Sequence, residues 1–377
     1  MNTTRRNTFQ LLGLALALGS LALPAGAHDD GDDDDGFRSG RVFTSTNAVA
    51  GNELLVYAAG SGGALSLQAR LATQGQGSGG GLGNQGAVTL SGNGRYLFVV
   101  NALSNSVSTF SVRRKGLALE STVDSGGLQP VSVTEHDGIV YVVNAAGAGN
   151  VAGFRNTGGM LQPLAGSVRG LSAAGGTGVA QVGFNPEGDL LVVTEKGTNK
   201  LTSYRVREDG GIDAPVVTAS AGVTPFGFAF APRGTLLVSE AFGGAANASA
   251  VSSYGFGPSA PASPLVISAS VGTTQTAACW VVVTPNGRHA YVTNTGSGTV
   301  SRYAVAKGGQ ISLVQAAAAA SGPGPIDAAI SASGRALFVL NAGAHTISSF
   351  GIARDGSLGS SSSVAGLPAG ATGLAAN

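Results

Sequence analysis

Five side chains are the candidates for chemistry: Glu195, Glu240, Asp327, Arg169 and His345. A carboxylate can take a proton from an attacking water, while a cation or an imidazole steadies the oxyanion that develops on a carbonyl. Glu195 or Asp327 would serve as the base, with Arg169 or His345 polarising the carbonyl; Glu240 is a further carboxylate of the same kind. The two glutamates stand at a recurring position that is Asn47, Asn101, Asn144, Asn294 and Asn341 elsewhere in the chain. Asparagine offers a donor and an acceptor to nearby loop groups, whereas a carboxylate only accepts. Glu there implies either a partner cation or general base, or else local hydrogen bonding. For Asp327 the alternatives are a pocket role, a salt bridge or a backbone cap. Cys279, beside Trp280, is the only thiol, and no base can be paired with it, so a buried inert thiol is expected.

These residues are positioned by a repeat. An aliphatic-aromatic strand ends in Asn or Glu, a Gly-rich turn follows, and a second strand ends in an aromatic residue. The clearest copy is Tyr291-Val292-Thr293-Asn294 followed by Thr299–Tyr303. Seven copies have their Asn or Glu at 47, 101, 144, 195, 240, 294 and 341, spaced 43 to 54 residues apart. Short strands at such a period predict an all-β chain folded as a seven-bladed β-propeller. Six of the copies are preceded by a turn with Gly at its end: Gly94, Gly138, Gly188, Gly234, Gly287 and Gly334. Before each turn lies a small-residue strand such as Val179–Phe184 or Ile326–Ile330, suited to the crowded centre of a ring. The first copy lacks that inner strand. Gly370–Ala376 reads like one, and pairing it with Val42–Ser45 would close the ring without an open edge.

The tight turn makes the inner strand antiparallel to the next one. The start of the first and the end of the second therefore share one face, called the loop face here; the turns mark the opposite, turn face. The loop face collects the seven Asn and Glu positions, with Gln85, Gln129, Gln181, Cys279 and Asp327 near inner-strand starts. Arg169 and His345 fall in loops of the same face, whereas His136 and His289 lie at the turns. The chain shows no metal-ligand spacing, no phosphate-cradling loop and no serine-nucleophile motif, and no cofactor is expected.

The Tyr-Val-Thr-Asn form at 291–294 resembles the repeat after which one class of propellers is named. The runs at 185–195, 224–230 and 94–101 widen the resemblance to the lactonase-type seven-bladed propellers, over roughly residues 41–377. That family includes 6-phosphogluconolactonases and carboxymuconate cyclases. The resemblance implies a small lactone as substrate, hydrolysed on the loop face. The family's pocket His and Arg residues are not matched position by position, since this chain has only four His. A non-catalytic ring binding an envelope or extracellular protein or glycan is the alternative. A ring-opening or ring-closing lyase ranks last, because it needs cationic groups for two or three carboxylates and this face shows few Arg.

Residues 1–27 read as a secretory signal: Arg5 and Arg6, an apolar Leu11–Leu23, and Ala25-Gly26-Ala27 as the cleavage site. Residues 28–40 read as an acidic solvated spacer. A secreted or periplasmic monomer with no membrane span after cleavage is expected. The 377 residues include 61 Gly, one Cys and only 11% charged residues, at net charge +1. This excludes a disulfide-stapled miniprotein, a coiled coil and a charge-rich disordered chain, and it gives no basis for nucleic-acid binding.

Overall fold

A computed structural model describes residues Gly40–Asn377; the expected signal 1–27 and nearly all of the spacer 28–40 lie outside the described residues. The described chain is a ring of seven antiparallel sheets, six of them built from consecutive strands running outward from the axis. The inner strands of blades 2 to 7 are Val88–Leu90, Leu128–His136, Val179–Phe184, Pro225–Phe230, Ala278–Val283 and Pro325–Ile330. Blade 1 takes its inner strand from the other end of the chain. Thr372–Ala376 pairs antiparallel with Arg41–Ser45, setting Val42 opposite Ala376 and Ser45 opposite Thr372, as the sequence predicts.

The turns follow the same logic. Gly94, Gly138, Gly188, Gly234, Gly287 and Gly334 all have φ between 67° and 82°, where a Cβ would be strained. Blade faces carry the apolar residues, and each blade packs on the next through its own cluster. Val131, Tyr141 and Val143 of blade 3, for example, meet Val182, Leu191 and Val193 of blade 4. Val42, Leu55 and Tyr57 of blade 1 meet Phe338 and Leu340 of blade 7, which seals the seam. Burying a side chain of this size contributes roughly 1.5–3 kcal/mol, so seven such contacts stabilise the ring without a disulfide. Polar ties reinforce the turn side. The Tyr141 hydroxyl donates to the Gly210 carbonyl and the Tyr291 hydroxyl to that of Gly356, each 2.8 Å away in the following blade.

The inner strands pose a separate problem. Each has one edge with no strand beside it, and its N–H and C=O groups still need partners. Side chains from the preceding blade supply them at six of the seven junctions. Thr89 donates to the Val133 carbonyl, Ser132 accepts from Val182 N–H, and Ser239 donates to the Cys279 carbonyl. Thr295 donates to the Pro325 carbonyl, and Asp327 accepts from Leu374 N–H. Gln181 does both for one residue, accepting from Phe228 N–H at 2.6 Å and donating to the Phe228 carbonyl at 3.0 Å.

Gln85 reaches furthest. Its side-chain amide donates to the Val281 carbonyl and accepts from Val281 N–H, joining blade 2 to blade 6. Its path runs over Gly227, where a Cβ would lie 2.1 Å from the Gln85 Oε1 and 2.6 Å from the Cys279 carbonyl oxygen. Gly227→Ala is therefore expected to lose about 2 kcal/mol of stability or more by urea denaturation. An unchanged midpoint would show that Gln85 does not cross the ring here.

Candidate functional site

The axis is sealed towards the loop face. Asn84 donates to the Val131 carbonyl, its own carbonyl accepts from the Trp280 indole at 2.6 Å, and Gln85 N–H donates to the Ala180 carbonyl. Partners in blades 3, 4 and 6 surround this one segment, so it crosses the centre. Trp280 backs it, with its ring 5.0 Å from that of Phe226. Lys196 donates to the Gly83 carbonyl, and its ammonium lies 4.4 Å from the centre of the Phe226 ring. No carboxylate pairs with Lys196 among the described residues, and burial pulls its pKa down to about 8.

Below this seal lies an axial cavity of about 360 Å³. Its upper lining is Gln85, Gln181 and Asp327, and its lower lining includes Leu90, Phe184, Phe230, Ile330 and Ala376. These last residues end their inner strands and are partly exposed, so the cavity opens on the turn face. Asp327 is the only ionisable side chain in the lining. Its two oxygens accept from Ala328 N–H at 2.8 Å and Leu374 N–H at 3.1 Å. Each carboxylate oxygen can accept twice, so capacity remains. Burial pushes the Asp327 pKa well above the usual range, and the two N–H donors offset this only in part. Thr134 also lines the cavity, and its hydroxyl has no hydrogen-bond partner among the described residues.

The five residues singled out in the sequence do not converge. Glu195 is fully buried; it accepts from Ser172 N–H at 3.0 Å, Thr202 at 2.5 Å, Thr198 at 2.8 Å and the Ser172 hydroxyl. Glu240 is equally buried, accepting from Gly222 N–H, Ser252 and Ser270. Burial raises the Glu240 pKa, against those three hydrogen bonds. Both serve the local hydrogen bonding that competed with a catalytic role, and neither is free to meet a ligand. Arg169 lies in a short outer strand of blade 3 and turns back onto the Gly166 and Val168 carbonyls. His345 is exposed in a loop-face turn at φ 55°. No hydrogen bond or ion pair joins any two of the five. Asp327 alone lines the cavity, and from the face opposite the one expected. Cys279 is 5% exposed with its pKa raised to about 11 by burial, the inert thiol anticipated.

Two residues were missed. Lys196 had a signal: the residue after the repeated Asn or Glu is Ala in five copies and Thr in one. Thr134 had none, since its free hydroxyl follows from what its neighbours leave unpaired.

Residues 262–371 match a family model described as lactonase, 7-bladed beta-propeller. Over this stretch, under a third of the chain, the sequence is similar to the lactonase-type seven-bladed β-propellers. Solved structures extend the likeness to the whole ring. A Lactobacillus plantarum protein matches at TM-score 0.71 and 15% identity, covering 90% of this chain and 99% of its own. A periplasmic gluconolactonase from Pseudomonas aeruginosa matches at 0.67 and 19%, over 89% and 98%. A proposed 6-phosphogluconolactonase from Bacteroides uniformis matches at 0.68 and 16%, again over 89% and 98%. At such identities the likeness is one of fold. No curated protein sequence matches this chain. Among its described residues no helix is long and apolar enough to cross a membrane, and no group of three or more His, Cys, Asp or Glu could hold a metal ion.

The raised pKa of Asp327 has a definite sign. Between the ordinary carboxylate range and its own raised value, the folded chain keeps a proton that the unfolded chain releases. Stability must then fall as pH rises through that window. Urea melts from about pH 4 to 8 are expected to show wild type losing stability relative to Asp327→Asn, by at most about 1.4 kcal/mol per pH unit. A pH-independent difference would mean that Asp327 titrates normally.

Proposed function

We propose that this propeller is an exported lactone hydrolase that opens a small lactone in the axial cavity, with Asp327 as general base. One observation carries the reading: a cavity of ligand size has a single ionisable side chain, a carboxyl with unused acceptor capacity. Raising a carboxyl pKa brings it nearer the working pH and makes its ionised form a better proton acceptor. Asp327 would take a proton from the attacking water, and the Thr134 hydroxyl would donate to the carbonyl oxygen as charge develops there. The proton then passes to the ring oxygen as the acyl C–O bond breaks, leaving a hydroxy acid. Export rests on the signal-like residues 1–27.

A second reading has its own observation. Glu195 and Glu240 are consumed internally, so the loop face near Lys196 and the partly exposed Phe226 offers recognition rather than base catalysis. There the ring would hold an envelope or extracellular protein or glycan and do no chemistry.

Acid release by the purified protein across a panel of uncharged and charged lactones separates the two. Proton release above the blank is expected, and Asp327→Asn should lower turnover at least about a hundredfold. Activity should fall as acid protonates Asp327, at a pH above the ordinary carboxylate range. Glu195→Ala should cost stability by about 2–4 kcal/mol through the donors it strands, with turnover of the folded fraction kept. A flat trace for every lactone would sink the hydrolase reading. Full activity in Asp327→Asn would remove that residue from the mechanism.

A further inference from the structure

The axial cavity has no cation. None of its lining residues is Lys, Arg or His, and its one ionisable group is an acid. Phe184, Phe228 and Phe230 form one side of the wall, and Ala329, Ile330 and Ala376 contribute to another. A ligand entering from the turn face must shed water from whatever it carries. For a hydroxyl or a ring oxygen, the Thr134 hydroxyl and the carboxyl compensate. For a phosphate or carboxylate nothing does, because an anion stripped of water needs a cation or several aimed donors. Lys196 is tied to Gly83 in the crossing segment and does not line the cavity.

We infer that the cavity selects uncharged lactones and rejects phosphorylated or carboxylated ones, by the desolvation of the unpaired anion. This rests on the cavity being the substrate site proposed above. It assigns the substrate class: a neutral ring with hydroxyl or apolar substituents, one face of which packs on the phenylalanine wall.

Binding tests this apart from turnover. The probes are a sugar lactam, which mimics the lactone but resists opening, and its phosphorylated form, titrated calorimetrically into the full chain. The uncharged lactam should bind, and the phosphorylated one at least about thirtyfold more weakly. Ala376→Lys places an ammonium at the half-buried, turn-face end of the closing strand, and should narrow that gap at least about tenfold. Equal or tighter binding of the phosphorylated lactam to wild type would overturn the inference, as would no binding of either. Selective binding of the neutral lactam without turnover of any lactone would remove the reaction and leave the ligand class standing.

Discussion

The inner strand of every blade has a backbone edge that no further strand can cover. In an open sheet such an edge would meet water; here seven of them converge on one axis. The ring meets this constraint at six of its seven junctions by passing a side chain from one blade to the next, from Thr89 round to Asp327. The donors and acceptors match the groups they serve. Gln181 and Gln85 each meet an N–H and a C=O of one residue, which the amide's separate donor and acceptor atoms allow. Asp327 meets only N–H groups, and its carboxylate is suited to that. The seal and the cavity beneath it both follow from how these side chains reach inward.

The repeated Asn and Glu positions obey the same accounting one strand further out. Asn101, Asn294 and Asn341 each donate to the hydroxyls five and seven residues on: Ser106 and Ser108, Thr299 and Ser301, Thr346 and Ser348. Ser108 and Ser348 then donate onward to the carbonyls of Thr73 and Ser321, each one residue past the outer strand of the preceding blade. With Glu195 and Glu240 the direction reverses. Thr202 and Ser252 donate inward, and the longer carboxylate also collects N–H groups from Ser172 and Gly222. Glutamate at these two positions is explained by hydrogen-bond polarity, without a ligand.

What could be read in the sequence was whatever repeats. The seven-fold period, the positive-φ glycines at the turns and the closing role of Gly370–Ala376 are local patterns, and the ring has them all. The site is built from contacts that no local pattern records. Gln85 and Val281 lie 196 residues apart, as do Asn84 and Trp280. A segment that crosses the centre has no period. The side on which the cavity opens was hidden for the same reason: topology correctly placed Asp327 at an inner-strand start, but the Gly83–Gln85 segment crosses above it, and the cavity opens on the turn face. Lys196 was legible as a break in the pattern, since a cation replaces Ala or Thr, although its partner Gly83 was not.

One layer of the ring therefore carries most of the individuality of this propeller. Opposite the residue before the repeated Asn or Glu, successive blades place Ser132, Gln181, Trp280 and Asp327. Gly227 occupies the corresponding bulge in blade 5. These are a hydroxyl, an amide, an indole, a carboxylate and no side chain at all, on strands that otherwise have the same role. The fold requires only that the inner edges find partners, and several side-chain types meet that requirement. Structures with TM-scores near 0.7 and identities of 15–19% are consistent with this separation of ring from centre. Blade packing rests on apolar faces and tolerates exchange of like for like. The axial layer is where one substitution bears on the lining and on the ring together, because Ser132, Gln181 and Asp327 each bond the backbone of the next blade and the Trp280 indole bonds that of the crossing segment.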